Sequence, residues 1–156
     1  MGKKNYRVDY PIRNALPSDY SGYSKLVIYM YESFKRFDEN IYNGTEVVYS
    51  EGYYLSQLCE PNCFHLVCEI DNEIAGICII DEDSDGMNIH TVSVAEKHAK
   101  KGVATSLYHS AFNLTREKGH SEVTATVFAQ NHASRKFHEH MLMRPTKYRY
   151  VFSGNP

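Results

Sequence analysis

Between Met87 and Val94 the apolar residues change phase: Met87 and Ile89 stand on odd positions, Val92 and Val94 on even ones. Successive side chains of a strand point to opposite faces, so both pairs reach one face only if a residue is inserted between them. The spacing therefore predicts a β-bulge near His90 and Thr91, which bends the strand and opens a gap beside it. The chain continues as VSVAEKHAKKGVAT, Val92 to Thr105: a strand end, a lysine-rich loop, then small residues opening a helix. The first N–H groups of a helix lack intrahelical partners and lie at the positive end of its dipole, which is a place to hold phosphate. Val103, Leu107, Ala111 and Leu114 form the apolar stripe of that helix, Arg116 and Lys118 sit in its last turn, and Gly119 stops it.

The rest of the chain alternates between the two periods. Tyr6 to Arg13 reads as a first strand, with Pro11 marking an edge or the strand's end. Ser18 is the expected N-cap of a helix with Tyr23, Leu26, Val27, Met30 and Phe34 on one face. A loop at Asn43-Gly44 and a short helix around Tyr49 to Leu58 follow. Phe64 to Ile70 and Ile74 to Ile80 form a hairpin through Asp71-Asn72-Glu73, and a third strand is reached through Asp83-Ser84-Asp85-Gly86. Val123, Ala125 and Val127 alternate as a strand, and Asn131 stands where the chain leaves it. Ala133, Phe137 and Met141 mark a helix that must end before Pro145, and Lys147 to Phe152 forms a last strand. With no repeat or linker, residues 1–156 read as one domain.

Strand, phosphate-type turn, helix, strand, Asn, helix resembles the GNAT superfamily of N-acetyltransferases. The family's first motif is Arg or Gln, two residues, Gly, one residue, then Gly or Ala; here it falls on Ala99, Lys100, Lys101, Gly102, Val103 and Ala104. Its second is Asn, a Tyr seven residues on, and Gly-Phe at eleven and twelve; here these fall on Asn131, His138, Leu142 and Met143. Ala99, His138 and Leu142-Met143 depart from the pattern. The resemblance implies a mixed α/β fold: a central, mostly antiparallel sheet with a bulged fourth strand and helices on both faces.

It also implies acetyl-CoA as cosubstrate, without a metal. The backbone of Val92, Ser93 and Val94 would pair with the pantetheine arm like an added strand. The pyrophosphate would lie on the amides of Lys100, Lys101, Gly102, Val103, Ala104 and Thr105, with Lys97, Lys100 and Lys101 adding charge. Those lysines equally suit a solvated loop. Asn131 would cap its helix, bond the pantetheine, or both. His138 stands where the family's Tyr protonates the departing thiolate, a task within reach of a side chain with a pKa near ~6.5. His90, at the bulge, is the candidate base for the acceptor amine. The cluster Asp81, Glu82, Asp83 and Asp85 reads as a solvated turn that could attract a cation. Acceptor choice is expected in residues 29–54, where eight aromatic residues, including Tyr31, Tyr49 and Tyr53, alternate with carboxylates; the same stretch would serve as a packing surface or homodimer interface.

Seventeen basic against nineteen acidic residues, a net charge of −2, argue against nucleic acid or an anionic membrane as partner. No apolar run approaches the ~20 residues of a membrane span, and the start MGKKNY lacks a signal-peptide core, so the expected location is cytoplasmic. Cys59, Cys63, Cys68 and Cys78 read as free and largely buried thiols. Cys59, Cys63 and His65 form a weaker metal alternative without a second Cys pair. The leading expectation is direct acetyl transfer to a primary amine, of a small molecule before a protein N-terminus or lysine. The alternatives are a non-catalytic acyl-CoA sensing module and an unrelated nucleotide-binding protein, the latter without a Gly-x-Gly-x-x-Gly or P-loop pattern.

Overall fold

In the computed structural model, which describes residues 9–38 and 47–147, β3 (Glu73–Asp83) and β4 (Gly86–Val94) pair antiparallel with one discontinuity. Ile80 stands opposite Ile89, and Ile79 opposite Thr91, so His90 is the inserted residue. Directly opposed residues share a face. Met87, Ile89, Val92 and Val94 therefore all lie on the face that carries Gly76, Cys78 and Ile80, as the phase change required.

The sheet has five strands in chain order: β1 (Ile12–Asn14), β2 (Cys63–Ile70), β3, β4 and β5 (Val123–Ala125). The first three pairings are antiparallel and β4–β5 is parallel, which requires the crossover helix α3 (Val103–Glu117) between them. Asp71 and Asn72 take φ +52° and +61°, the paired left-handed geometry of a two-residue hairpin loop, and Glu73 already belongs to β3. α3 packs on the Gly76 face so closely that a Cβ at Gly76 would sit 2.7 Å from Val103 Cγ1. On the other face lie α1 (Tyr20–Phe34) and α2 (Glu51–Leu58), whose Tyr23, Leu26, Val27 and Tyr54 form a core cluster with Val67 and Ile77. Burying side chains of this size contributes ~1.5–3 kcal/mol each, which is what holds the helices to the sheet.

The chain divides into two compact units, Met1–Thr126 and Val127–Pro156; the second contains α4 (His132–His140). No described helix is long and apolar enough to cross a membrane. Several expectations are corrected. The first strand begins at Ile12, after Pro11, while the expected start at Tyr6 lies outside the described residues. Ser18 is not the cap of α1: it lies inside a 3-10 turn, Pro17–Asp19, that leads into the helix. Asp19 is held there by the Leu16 N–H and the Arg13 guanidinium. Val127 is not part of β5, Ala133 is exposed, and so is Cys59. Asn43-Gly44 and Tyr148 to Phe152 of the expected last strand also fall outside the described residues.

Candidate active site

The bulge divides β4 into two stretches with different neighbours. Met87 to Ile89 pair with β5 on one side and β3 on the other, but among the described residues Thr91 to Val94 pair with β3 alone. The β5-side edge at Val92 to Val94 is therefore open to an extended ligand. Beyond it a single 3-10 turn, Glu96–His98, leads to Lys100 at φ +58° and Gly102 at φ +90°, and α3 begins. The first intrahelical bond is Ser106 N–H to the Gly102 carbonyl at 3.0 Å, and Gly102 supplies no side-chain cap. The N–H groups of Val103, Ala104 and Thr105 thus precede the first intrahelical donor, as an anion site at a helix start needs.

Two of the expected cofactor residues can offer only backbone. Val103 is buried against β3, and Ser93 Oγ donates to the Leu26 carbonyl at 2.8 Å. The loop charge is also partly committed: Lys97 pairs with Glu73, and Lys101 Nζ donates to the Lys97 carbonyl at 2.8 Å.

On the α1–α2 face lies a cavity of about 660 Å³ whose lining includes Tyr31, Tyr53, Cys63, Asp81, His90 and Thr91. His90 reaches it because it is the bulged residue, and its Nδ1 lies 2.9 Å from Thr91 Oγ1. Asp81 is not part of a solvated turn: β3 runs on to Asp83, and Asp81 is a half-buried strand residue opposite Cys63. Glu82 likewise is held by His120 and Lys118. Behind the wall, Tyr23 Oη lies 2.6 Å from His65 Nδ1, and His65 Nε2 lies 3.2 Å from Cys63 Sγ. Burial raises the Tyr23 phenol well above its ordinary value and lowers His65, so the tyrosine keeps its proton and the imidazole is neutral. Burial, then the neighbouring Asp81 carboxylate, push the Cys63 thiol up to about 12.

In the second unit, Asn131 caps α4, its Oδ1 accepting the Ser134 N–H at 3.0 Å. His138 Nδ1 donates to the Ser134 carbonyl at 2.7 Å, which fixes that nitrogen as the protonated one. Of the expected site residues, Val92 to Val94, Lys100 to Thr105 and His90 share the first unit, while Asn131 and His138 share the second. Tyr23 is absent from the expected site residues, Asp81 enters them only as one acid of a cluster that could attract a cation, and Cys63 and His65 only as a metal alternative. Their signal was present in β2, where Cys63 and His65 alternate with Phe64 and Leu66 at the start of a strand that is apolar from Leu66 to Cys68. Among the described residues no three His, Cys, Asp or Glu side chains are grouped as metal ligands would be.

A family model described as the acetyltransferase (GNAT) family matches residues 27–142. The chain belongs to the GNAT acetyltransferase family. GNAT proteins are acyltransferases that use acetyl-CoA. A curated relative, a putative ribosomal protein bS18-alanine N-acetyltransferase of Bacillus subtilis (strain 168), is 25% identical over 95 residues. That match covers 61% of this chain and 63% of the relative, so the chain spans less than two thirds of the relative's length. Among solved structures, a mutant of the BH1408 protein from Bacillus halodurans shares the fold with a TM-score of 0.83 at 14% identity, covering 93% of this chain and 99% of that one. The aminoglycoside N-acetyltransferase AAC(6')-Iy in complex with CoA is also similar in fold, with a TM-score of 0.68 at 14% identity over 94% of this chain and 99% of that one.

Proposed function

We propose that this GNAT chain, as one domain over residues 1–156, is an N-acetyltransferase that moves the acetyl group of acetyl-CoA directly onto the primary amine of a small molecule. The observation that carries the reading is the His90 bulge, because one inserted residue both frees the edge of Val92 to Val94 and turns His90 into a cavity on the opposite face. The pantetheine pairs with that edge, and the pyrophosphate sits on the N–H groups that open α3. Gly102 and Ala104 keep that surface low enough for phosphate to approach, and Lys100 adds charge.

The amine must arrive neutral to attack. His90 takes one proton of the ammonium and the neutral nitrogen bonds to the thioester carbon; as the C–S bond breaks, the nitrogen loses its second proton to water and the thiolate leaves needing one. His138 is assigned to supply it by the family resemblance. Since its Nδ1–H is held by the Ser134 carbonyl, the proton would come from Nε2 of the imidazolium. Asn131, already capping α4 through Oδ1, has its amide N–H groups left to offer the pantetheine. Four free thiols fit a reducing, cytoplasmic setting.

The likeness to a putative ribosomal-protein-alanine acetyltransferase favours a second reading, a protein N-terminus as acceptor. Thiol release from acetyl-CoA tests both. The small-molecule reading expects saturable release with a low-molecular-weight amine and little with an alanine-initiated peptide; the reverse result favours the second. Stabilisation by CoA without release from any amine would mark a binding module instead.

A further inference from the structure

We infer that Asp81 is the group that selects the acceptor, and that Tyr23, His65 and Cys63 are positioning residues: two hydrogen bonds fix Cys63, the residue directly across the ladder from the Asp81 carboxylate. The inference rests on the transferase reading and narrows its substrate to a monoamine on a flat, apolar scaffold.

The direction of the chain follows from chemistry at each link. Tyr23 is fully buried and keeps its proton, so its hydroxyl donates to His65 Nδ1 at 2.6 Å. A neutral imidazole that accepts at Nδ1 carries its hydrogen on Nε2. Nε2–H then faces Cys63 Sγ at 3.2 Å. The thiol therefore receives a hydrogen bond on sulfur, and it stands directly across the β2–β3 ladder from Asp81, whose carboxylate is near enough to disfavour the thiolate. Both bonds point the same way, and they end on the residue that faces Asp81 at the cavity wall.

A thiol is a weak donor, so Cys63 beside the carboxylate leaves most of its accepting capacity for a ligand. Among the described residues that line the cavity, Asp81 is the single acid, and the walls beside it are Tyr31, Tyr49 and Tyr53 with Val47 and Val48. One carboxylate matches one ammonium, and tyrosine walls match a flat apolar body. A polycation would need several more acids. Asp81 and His90 line the same cavity, so an ammonium held by the first lies in the space where the second would take its proton.

Phenethylamine and its uncharged counterpart 2-phenylethanol are the probes, titrated calorimetrically into the full chain and, for the amine, followed by thiol release from acetyl-CoA. The wild type is expected to bind the amine about 30-fold more tightly than the alcohol, the worth of a charge-assisted bond in a partly desolvated site, and Asp81→Asn to abolish that ratio. Cys63→Ala is expected to raise the KM of the amine about threefold at unchanged KM for acetyl-CoA, and Cys63→Ser, which keeps a donor, to restore it. Equal binding of amine and alcohol by the wild type overturns the inference without needing any variant. An unchanged ratio in Asp81→Asn overturns it as well. Asp81-dependent binding without thiol release would uphold the anchor and sink the transferase reading; release that is indifferent to Asp81→Asn would do the opposite.

Discussion

On the face of the sheet that receives α3, residues Gly76 to Ile80 and Met87 to Val94 present glycine, cysteine and aliphatic or Met side chains, and Glu82, near the end of β3, is held by His120 and Lys118. On the face that receives α1 and α2, the same strands present Ser93, Thr91 and Asp81 beside Ile77 and Ile79, and β2 adds His65 and Cys63. Both faces are covered by helices. They differ in how covering is achieved: the α3 face by close packing, with Gly76 small enough for Val103 and Leu107 to approach, the α1 face by packing plus named polar partners. A buried polar group costs stability unless it is bonded, so polar residues on a covered face are kept where they have bonds to make or chemistry to do. The lesson is that the face facing α3 is scaffold and the opposite one holds the polar cavity that we propose takes the acceptor. The edge proposed for the cofactor is where β4 parts from β5.

Substitutions can break this contrast. Leu107→Ala, on the packing face, should lose about 3 kcal/mol in urea denaturation while leaving the KM for amine within twofold; a large change in KM would mean the faces are not separable. Tyr23→Phe keeps the volume but strips His65 Nδ1 of its donor, and should cost about 2 kcal/mol, with an effect on amine KM that Leu107→Ala lacks. Gly102→Ala forces a side chain into φ +90° although the space beside it is open, Tyr10 Cε2 being 3.7 Å from the new Cβ. It should cost about 1 kcal/mol from backbone strain and weaken CoA while sparing amine binding, which sharpens the cofactor side. The smallest effect is one of pH, at the entry to α1. The Arg13 guanidinium, at 2.7 and 2.9 Å, holds Asp19 below the usual carboxylate range. Its contribution is complete above the unfolded value near ~4 and is lost as the pH falls through the lower folded one. Denaturation measured from pH 7 to 3 should show that loss, and Arg13→Gln should flatten it.

The scaffold was legible in the sequence because it is written in periodicity. The phase change between Ile89 and Val92 located the bulge, the stripe from Val103 to Leu114 located α3, and Gly119 its end. Ends set by side-chain bonds were not legible: Ser18 looks like a cap, yet the Leu16 N–H and Arg13 select Asp19, a preference that depends on β1 lying beside the turn. The turn into α3 could be read because its demands are local, small residues at a helix start. Asp81 could not, since its neighbours in sequence are acids of a turn-like run, while its partner Cys63 arrives from another strand. A relay across a ladder has no local spacing, and only the register brings Cys63 opposite Asp81 and His65 opposite Ile79.

The most direct test is to map amide resonances of the ¹⁵N-labelled chain while titrating CoA and phenethylamine separately. The account predicts that CoA shifts Val92 to Val94 and Lys100 to Thr105, and that the amine shifts Cys63, His65, Asp81 and His90. CoA shifts centred on the Tyr31–Tyr53 cavity, or amine shifts centred on the start of α3, would contradict it.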